Sequence, residues 1–404
     1  MKLPYTLTER QQRFVALADS LAARFAERAN VYDREGTFPY ENYTDLHESG
    51  YLRLVIPREY GGEGADVYEM VLAQERLARG DGSTALPTAM LINIIGSNAT
   101  QLTWPEPVFE TVCRTIATEG GLINNVVTEA ELGSISRGGV PATTATPVEG
   151  GWLINGHKRF ATGAPALRFF VTGVRLPPRE GAPEGETASA IVRAGSPGLR
   201  LVDTWSDSLS LRTSGNYDVY FENVFVPDEW LVARRPVGAP AQPPGVNGWG
   251  LAIAAVYLGI GQAACDAACD YASSRVPSSL GKPIAELPHI QQWIGEMQVT
   301  LDAARAVLHS AARTWVEHPE ARPKLGPQIA AAKYLCTNAA CAASEKALRV
   351  AGGFSLTRDL PLERYFRDAR AGLFNPPQDD LALGLIGRTA LAERREERAA
   401  TGDL

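Results

Sequence analysis

The stretch between residues 350 and 391 holds the side chains best suited to binding a phosphate-containing ligand. Gly352 and Gly353 interrupt a helical pattern, and a double glycine lets backbone approach a ligand closely because neither residue has a Cβ. The arginines that follow can grip phosphate oxygens with a planar fork of N–H donors; they are Arg364, Arg367 and Arg370. The same pattern also suits a helix C-cap followed by a solvated basic turn, so local spacing leaves both interpretations open.

Length and composition describe an ordinary globular protein of several domains. The 404 residues can bury a large core and suffice for two or three domains. A hydrophobic share of 45% with 21% charged residues is typical of such a protein. The net charge of −7 and the pI of about 5.5 provide no overall basic field, which argues against nucleic acid as a partner.

Cysteine and histidine usage predicts no metal site. The five cysteines form no C-x-x-C pair, and Cys265 and Cys269 lie in an alanine-rich helical pattern, which favours buried thiols over disulfides or metal ligands. The five histidines show no ligand spacing. The first residues lack the apolar segment of a signal peptide, and no run of about 18 apolar residues predicts a membrane span. We therefore expect a cytoplasmic protein that does not act at a membrane.

Hydrophobic periodicity divides the chain into helical, β and helical segments, which predicts an α+β fold. Residues 1–120 carry helical patterns and form the predicted N-terminal helical domain. Residues 121–235 contain β-type runs separated by turns and form the predicted central β-barrel-like domain. Residues 236–404 hold four long helical patterns, which we expect to pack as a C-terminal four-helix bundle.

Local signals mark the ends of some of these elements. Thr8 is placed to cap the first helix, and the pair Asn155–Gly156 is a hairpin signal. The segment from Pro236 to Gly248, rich in proline and glycine, reads as a linker or mobile loop. Alanine is abundant in the last helices, which would let them approach one another closely.

Six motifs in register resemble the acyl-CoA dehydrogenase flavoprotein superfamily, and the resemblance covers nearly the whole chain. The first two are Ile-Pro-Arg-Glu-Tyr-Gly-Gly and Thr-Glu-Ala-Glu-Leu-Gly-Ser, and the third begins Trp-Leu-Ile-Asn-Gly-His-Lys. The six occupy residues 56–62, 128–134, 152–162, 211–227, 275–284 and 367–370.

The resemblance implies an FAD site built from three parts of the chain. Hydroxyl and N–H groups of Thr128 and Thr162 would meet the flavin ring near N1/O2 and N5, where such donors stabilise negative charge. Phe160 would stack on the ring, Arg275 would reach the pyrophosphate, and the Gly352–Gly353 turn would admit the adenosine half from a neighbouring subunit. The implied cofactor-binding residues are Val127, Thr128, Gly133, Ser134, Phe160, Thr162, Arg275, Leu280, Arg349, Gly352, Gly353, Gln378 and Asp380.

The chain departs from the family where the catalytic base is expected. Most members carry a glutamate nine residues after the arginine of the Arg-Asp-Ala segment, and here that position is Pro376. Proline supplies neither a carboxylate nor the N–H that polarises the thioester carbonyl. The other position used by some members, residues 247–253, contains no acid. Asp379 and Asp380 are the remaining candidates, although acids in the first turn of a helix also simply complement its dipole.

Three functions remain open on this basis. The first is FAD-dependent α,β-dehydrogenation of an acyl-CoA with a displaced base, which would pass electrons to an electron-transfer flavoprotein. The second is a flavin-dependent monooxygenase or oxidase that acts on a non-thioester substrate. The third is a flavin-binding or assembly protein without catalysis. The resemblance further implies a homotetramer or homodimer.

Overall fold

The computed structural model describes residues 6–131, 139–238 and 246–401. Its N-terminal part is helical, as predicted. Thr8 caps the first helix, since its hydroxyl accepts the Gln11 amide at 3.2 Å and the Gln11 side chain accepts the Thr8 amide at 3.1 Å. The helices are α1 (Glu9–Glu35), α2 (Tyr40–Glu48), α3 (Val67–Gly80), α4 (Gly82–Gln101) and α5 (Glu106–Glu119).

Within the residues that the structure describes, the central part is one sheet of eight strands. Along the sheet their order is β6-β7-β3-β2-β4-β5-β8, and β1 pairs with β4. Strands β5 and β7 contact each other although three strands separate them in this order, so the sheet curls as the β-barrel-like prediction requires. The strands are β1 (Leu122–Asn125), β2 (Thr144–Val148), β3 (Gly151–Ala161), β4 (Leu167–Leu176), β5 (Glu186–Arg193), β6 (Leu199–Val202), β7 (Tyr217–Pro227) and β8 (Leu231–Pro236).

Residues 246–401, the described C-terminal part, form four long α-helices and one short one. Gly259 of α6 lies so close to α3 that an added Cβ would come within 2.4 Å of the Glu75 carbonyl oxygen. Gly261 meets α8 in the same way, 2.8 Å from the Cα of Ala340. Small residues thus permit the close helix packing that the alanine content predicted. The helices are α6 (Leu251–Ser274), α7 (Pro288–Glu317), α8 (Gly326–Ala351), α9 (Leu362–Arg370) and α10 (Asp379–Thr401).

Helix α6 is the apolar centre of this bundle. Among the described residues, Gly248–Ser274 is the one helix long and apolar enough to cross a membrane, and 89% of its most apolar window is buried inside the protein. A core helix has the same composition as a membrane span, and burial of its side chains against α3, α7 and α8 accounts for it.

The chain forms two compact units. The C-terminal unit contains the first turns of α1, helix α3 and the C-terminal helices. The central unit contains the rest of α1, helices α2, α4 and α5, and the strands. The predicted order of a helical part, a central sheet and a helical part is confirmed, whereas the domain limits at residues 120 and 235 stay predictions.

Two local expectations differ from the structure. The hairpin prediction at Asn155–Gly156 is wrong, because β3 continues through both residues. The Asn155 side chain bonds Asn223 of β7, and Gly156 lies at an irregularity in the β3–β7 register. The segment with three arginines is largely helix α9 rather than a turn.

Candidate functional site

The predicted flavin-facing residues of the central unit lie on one strip at the end of β3. Thr128 forms an isolated bridge with Arg159, whose amide donates to the Thr128 carbonyl at 2.8 Å. Val127 and Thr128 are half-buried, as is Thr162. The bridge places Val127 and Thr128 beside Phe160, so the structure brings together residues that are more than 30 positions apart in sequence.

Phe160 is held in an unusual conformation on this strip. Its φ is 59°, a left-handed value that is rare for an aromatic residue, and its side chain is 45% exposed. The Thr162 amide donates to the Phe160 carbonyl at 2.9 Å, and the buried Asn124 donates to the Thr162 carbonyl at 2.9 Å. Trp205 contacts the Phe160 ring edge-on at 5.7 Å. Strain of this kind persists where the surroundings fix the conformation, as they often do at functional sites.

A buried ion pair between Glu129 and Lys158, which sequence reasoning missed, lies next to this strip. Glu129 follows Thr128, and its carboxylate accepts from the Lys158 ammonium at 2.6 Å and the Thr143 hydroxyl at 2.6 Å. It also accepts from the Ala142 and Thr143 amides at 2.7 and 3.0 Å. Burial alone would raise the pKa of Glu129, but these hydrogen bonds reverse the effect and hold it at about 2. The available signal was that Glu129 directly follows the predicted contact Thr128 and that Lys158 lies two residues before Phe160.

The glycine turn and its neighbours lie together in the C-terminal unit. Gly352 has a φ of 58° and is exposed like Gly353, and a Cβ added at either residue would meet no atom within 4 Å. The exposed Arg275 lies with its guanidinium 4.8 Å from the centre of the Phe354 ring, just after this turn. Leu280 is half-buried in the turn that follows Arg275. The structure therefore brings the predicted pyrophosphate and adenosine residues into one region.

Arginines near this turn lie close to carboxylates of the protein itself. Arg364 is 3% exposed and lies 3.7 Å from Asp81, and Arg367 pairs with Glu363 at 2.6 Å. Arg349, one of the predicted cofactor residues, pairs with Glu345 one turn away at 2.7 Å. For Arg364 and Arg367 a structural role is therefore better supported than phosphate binding.

Buried polar side chains from α6 and α8 hold the loop that contains the expected base position. The Tyr257 hydroxyl, on a fully buried side chain, donates to the Asn375 side-chain oxygen, directly before Pro376. The Lys333 ammonium is 3% exposed and donates to the Gly372 carbonyl at 2.8 Å. Burial raises the pKa of the Tyr257 hydroxyl and lowers the pKa of Lys333. Neither group was identified from the sequence.

The two candidate carboxylates differ in their surroundings. Asp379 accepts a hydrogen bond from the Asn338 amide at 3.0 Å on one oxygen, whereas its other oxygen is buried without a hydrogen-bond partner. The side-chain oxygen of Gln378 is buried and unpartnered in the same way. Asp380 is exposed. A buried carboxylate oxygen without a partner is rare, and a ligand or a water is one group that can satisfy it.

Two predicted residues, Gly133 and Ser134, lie outside the described residues. Among the residues that are described, no three His, Cys, Asp or Glu side chains come together as a metal site. The five cysteines are free thiols, and all except Cys269 are buried.

Comparison with known proteins decides the family. Models described as the acyl-CoA dehydrogenase N-terminal, middle and C-terminal domains match residues 8–104, 125–224 and 251–374. YdbM of Bacillus subtilis (strain 168), provisionally named as an acyl-CoA dehydrogenase, is 38% identical over 382 residues, which is 95% of this chain and 97% of YdbM. The chain belongs to the acyl-CoA dehydrogenase family.

Solved structures share the fold over nearly the full length of the chain. Butyryl-CoA dehydrogenase from Megasphaera elsdenii superimposes with a TM-score of 0.84 at 24% identity, covering 96% of this chain and all of that one. A nitrososynthase from Micromonospora carbonacea var. africana superimposes with a TM-score of 0.80 at 25% identity, covering 96% of this chain and 98% of that one. The predicted family and fold are confirmed. The predicted general class, an FAD-dependent oxidoreductase of the acyl-CoA dehydrogenase type, is confirmed as well.

FAD is the usual cofactor of the acyl-CoA dehydrogenase family, and the residues present fit it. The hydroxyls of Thr128 and Thr162 form no hydrogen bonds with the described residues, so both can donate to a bound ring. The Thr162 amide is already used, which leaves its hydroxyl as the available donor. Among the described side chains no carboxylate pairs with Arg275, and the space above Gly352 is open. Donors, a cation and a glycine turn are the groups that a flavin dinucleotide needs.

Proposed function

We propose that this protein is an FAD-dependent oxidoreductase that introduces a double bond between Cα and Cβ of an acyl-CoA thioester, with Asp379 as the proton acceptor. The observation that carries the assignment is the unpartnered, buried oxygen of Asp379. It lies three residues after Pro376, at the start of α10. With Pro376 at the usual base position, Asp379 is the nearest following carboxylate.

The surroundings of Asp379 suit a base that is held in place. Asn338 binds one carboxylate oxygen from α8 and leaves the other without a hydrogen-bond partner, and a proton acceptor needs such an unpaired oxygen. Asp379 also interacts electrostatically with the buried ammonium of Lys333. Lys333 and Tyr257 in turn fix the loop from Gly372 to Asn375 that leads to the carboxylate. Together these contacts limit the motion of Asp379 relative to helices α6 and α8.

In the proposed reaction the substrate loses two hydrogens, one as a proton and one as a hydride. The Cα–H bond breaks, its proton passes to the free oxygen of Asp379, and the electron pair forms the Cα=Cβ bond. Bound FAD supplies the acceptor for the hydride that leaves Cβ. Thr128 and Thr162 donate hydrogen bonds toward the ring, and Phe160 supplies an apolar face. We assign Val127, Gly133, Ser134, Leu280, Arg349, Gly352, Gly353, Gln378 and Asp380 to the remaining cofactor contacts, with Arg275 at the pyrophosphate.

One observation favours a second candidate, a flavin-dependent monooxygenase or oxidase on a non-thioester substrate. Pro376 removes both the usual carboxylate and an amide donor to the thioester carbonyl, and neither is needed if the substrate is not a thioester. The likeness to a nitrososynthase at 25% identity is compatible with this reaction class. A non-catalytic flavin-binding or assembly protein is the third candidate.

The candidates are separated by the response of the flavin-loaded protein to acyl-CoA without oxygen. Under the proposal, an acyl-CoA series bleaches the flavin absorbance, and Asp379→Asn slows bleaching by roughly a hundredfold or more, as expected for loss of a general base. Glu393→Gln is the matched control, because this exposed carboxylate of α10 has no assigned role and the variant should retain the rate within about threefold; both variants must keep their flavin spectrum.

Other outcomes would reject the proposal in identifiable ways. Bleaching that Asp379→Asn leaves unchanged would remove Asp379 from the mechanism. A flavin that stays oxidised with every acyl-CoA, while the reduced protein consumes oxygen with another substrate, would establish the second candidate. Protein that purifies colourless and takes up no flavin would establish an assembly role. We further propose a cytoplasmic homodimer or homotetramer that passes electrons to an electron-transfer flavoprotein; sedimentation and reduction of that acceptor test both points.

A further inference from the structure

A cavity of about 280 Å³ lies in the central unit, away from the residues assigned to FAD. It is open to solvent on one side and is formed by the ends of β5 and β7 and the short helix after β7, at the point where the curled sheet brings β5 and β7 into contact. Its walls include Ile191, Arg193, Ser196, Phe225, Pro227 and Trp230. Nothing in the proposed dehydrogenation uses these residues.

Arg193 supplies an exposed cation that lies over two aromatic rings. Its guanidinium carbon lies 4.8 Å from the centre of the Trp230 ring and 5.6 Å from that of Phe169. Trp230 itself stacks on Phe169, with the ring centres 5.8 Å apart and the planes 22° apart. Stacking of the guanidinium face leaves its N–H edges free to bind an anion. Within the described part of the chain, no carboxylate pairs with Arg193.

The backbone that carries Arg193 is fixed as well. Arg193 pairs with Phe169 of β4, and the next residue, Ala194, donates to the Arg168 carbonyl at 2.9 Å. The amide and hydroxyl of Ser196 both donate to the Arg193 carbonyl, at 3.3 and 2.9 Å. The fixed backbone and the two ring contacts limit the positions of the exposed guanidinium before any ligand arrives, which lowers the entropy lost on binding.

The remaining walls of the cavity are apolar and flat. Phe225 is 48% exposed, and its ring lies over Gly151, where an added Cβ would come within 2.9 Å of a ring carbon. Trp230 and Pro227 continue this surface, and the buried Ile191 lies beside it. A half-exposed aromatic ring beside an unpaired cation is suited to a ligand with a flat apolar body and a negative head.

We propose that this cavity binds a small carboxylate with a flat apolar body, such as an aromatic acid. The carboxylate would accept two parallel hydrogen bonds from the Arg193 guanidinium, while the body would lie against Phe225 and Trp230. The volume is close to the lower limit of ligand pockets, about 300 Å³, which restricts the ligand to a single ring or a similar body. This site is independent of the reaction proposed for Asp379.

Calorimetric titration of the flavin-loaded protein with benzoate tests the assignment. We expect binding at millimolar concentration or tighter, with the flavin absorbance unchanged, because the cavity is not the flavin site. Arg193→Gln should weaken benzoate at least tenfold, and Phe225→Ala should weaken it severalfold. Arg235→Gln is the matched control: this exposed arginine of β8 bonds the Thr187 hydroxyl, does not line the cavity, and should leave benzoate binding unchanged.

Comparison ligands separate the carboxylate from other anions. Acetate, which lacks the ring, should bind at least tenfold more weakly than benzoate, and inorganic phosphate should not compete. Equal affinity of wild type and Arg193→Gln, absence of benzoate binding, or phosphate binding as tight as benzoate would each overturn the proposal. If Arg193→Gln does not fold, Arg193→Lys keeps the charge but not the fork and should weaken benzoate several times; unchanged affinity would again overturn it.

Discussion

Replacing Lys158 by methionine should destabilise the central unit, because it leaves the buried carboxylate of Glu129 without its cation. Glu129 directly follows Thr128, one of the predicted flavin contacts. The Lys158 side chain is 0% exposed and donates to Glu129 at 2.6 Å and to the Gly173 carbonyl at 2.9 Å. Glu129 keeps only its bonds from Ala142 and Thr143 after the substitution. Methionine fills a similar volume, so the experiment removes the charge without opening a large cavity.

The structure sets the magnitude of this effect. Lowering the pKa of Glu129 from 4.5 to about 2 corresponds to roughly 3 kcal/mol of stability at neutral pH. Burial lowers the pKa of Lys158, which offsets part of that gain. Removing one partner is nevertheless costly, about 3–5 kcal/mol, because the other charge stays buried and unpaired.

The pH dependence follows from the direction of the Glu129 shift. A depressed pKa in the folded state adds stability that is fully present above pH 4.5 and is lost as the pH falls toward about 2. In the variant the stranded carboxyl is relieved by protonation. The difference in stability between wild type and Lys158→Met should therefore shrink as the pH falls through this range.

Hydrogen exchange of β3 peptides is the suitable assay, since it reports on the central unit even if the two units unfold separately. Lys282→Met is the control, because Lys282 pairs with Glu286 on the surface at 3.3 Å and its loss should cost less than about 1 kcal/mol. The double variant Lys158→Met with Glu129→Leu should recover much of the loss. A single-variant cost below about 1 kcal/mol, or no recovery in the double variant, would refute this account of the pair.

Three further outcomes are expected. Glu75→Gln should cost about 3–5 kcal/mol of unfolding free energy at neutral pH, measured by urea denaturation, since the buried Glu75 pairs with Arg305 at 2.9 Å; a cost under about 1 kcal/mol would contradict it. Tyr257→Phe should lower stability by about 1–3 kcal/mol by leaving the Asn375 oxygen unsatisfied, and an unchanged melting temperature would exclude that role. Thr162→Val should slow flavin reduction roughly tenfold in stopped-flow absorbance while flavin is retained, a prediction to be abandoned if the rate is unchanged.

Much of the architecture could be read from the sequence because its signals are local. The capping residue Thr8 and the apolar periodicity of α1, α2, α6, α7 and α8 depend only on near neighbours in the chain. The hairpin expectation failed for the opposite reason. Asn155 and Gly156 satisfy a turn rule locally, but pairing of β3 with β7 overrides it, and Asn223 lies 68 residues away.

The candidate site likewise has features that follow from the sequence alone and features that depend on the tertiary structure. The sequence by itself determined the family motifs, the glycine turn and the absence of a carboxylate at Pro376, since each depends on residue type and order. Only the tertiary structure decided that Glu129 is paired with Lys158, that Arg364 is buried against Asp81, and that Asp379 retains a buried free oxygen. These properties arise from atoms brought together from distant parts of the chain, and no local pattern of residue types encodes the burial and the partner that fix their charge.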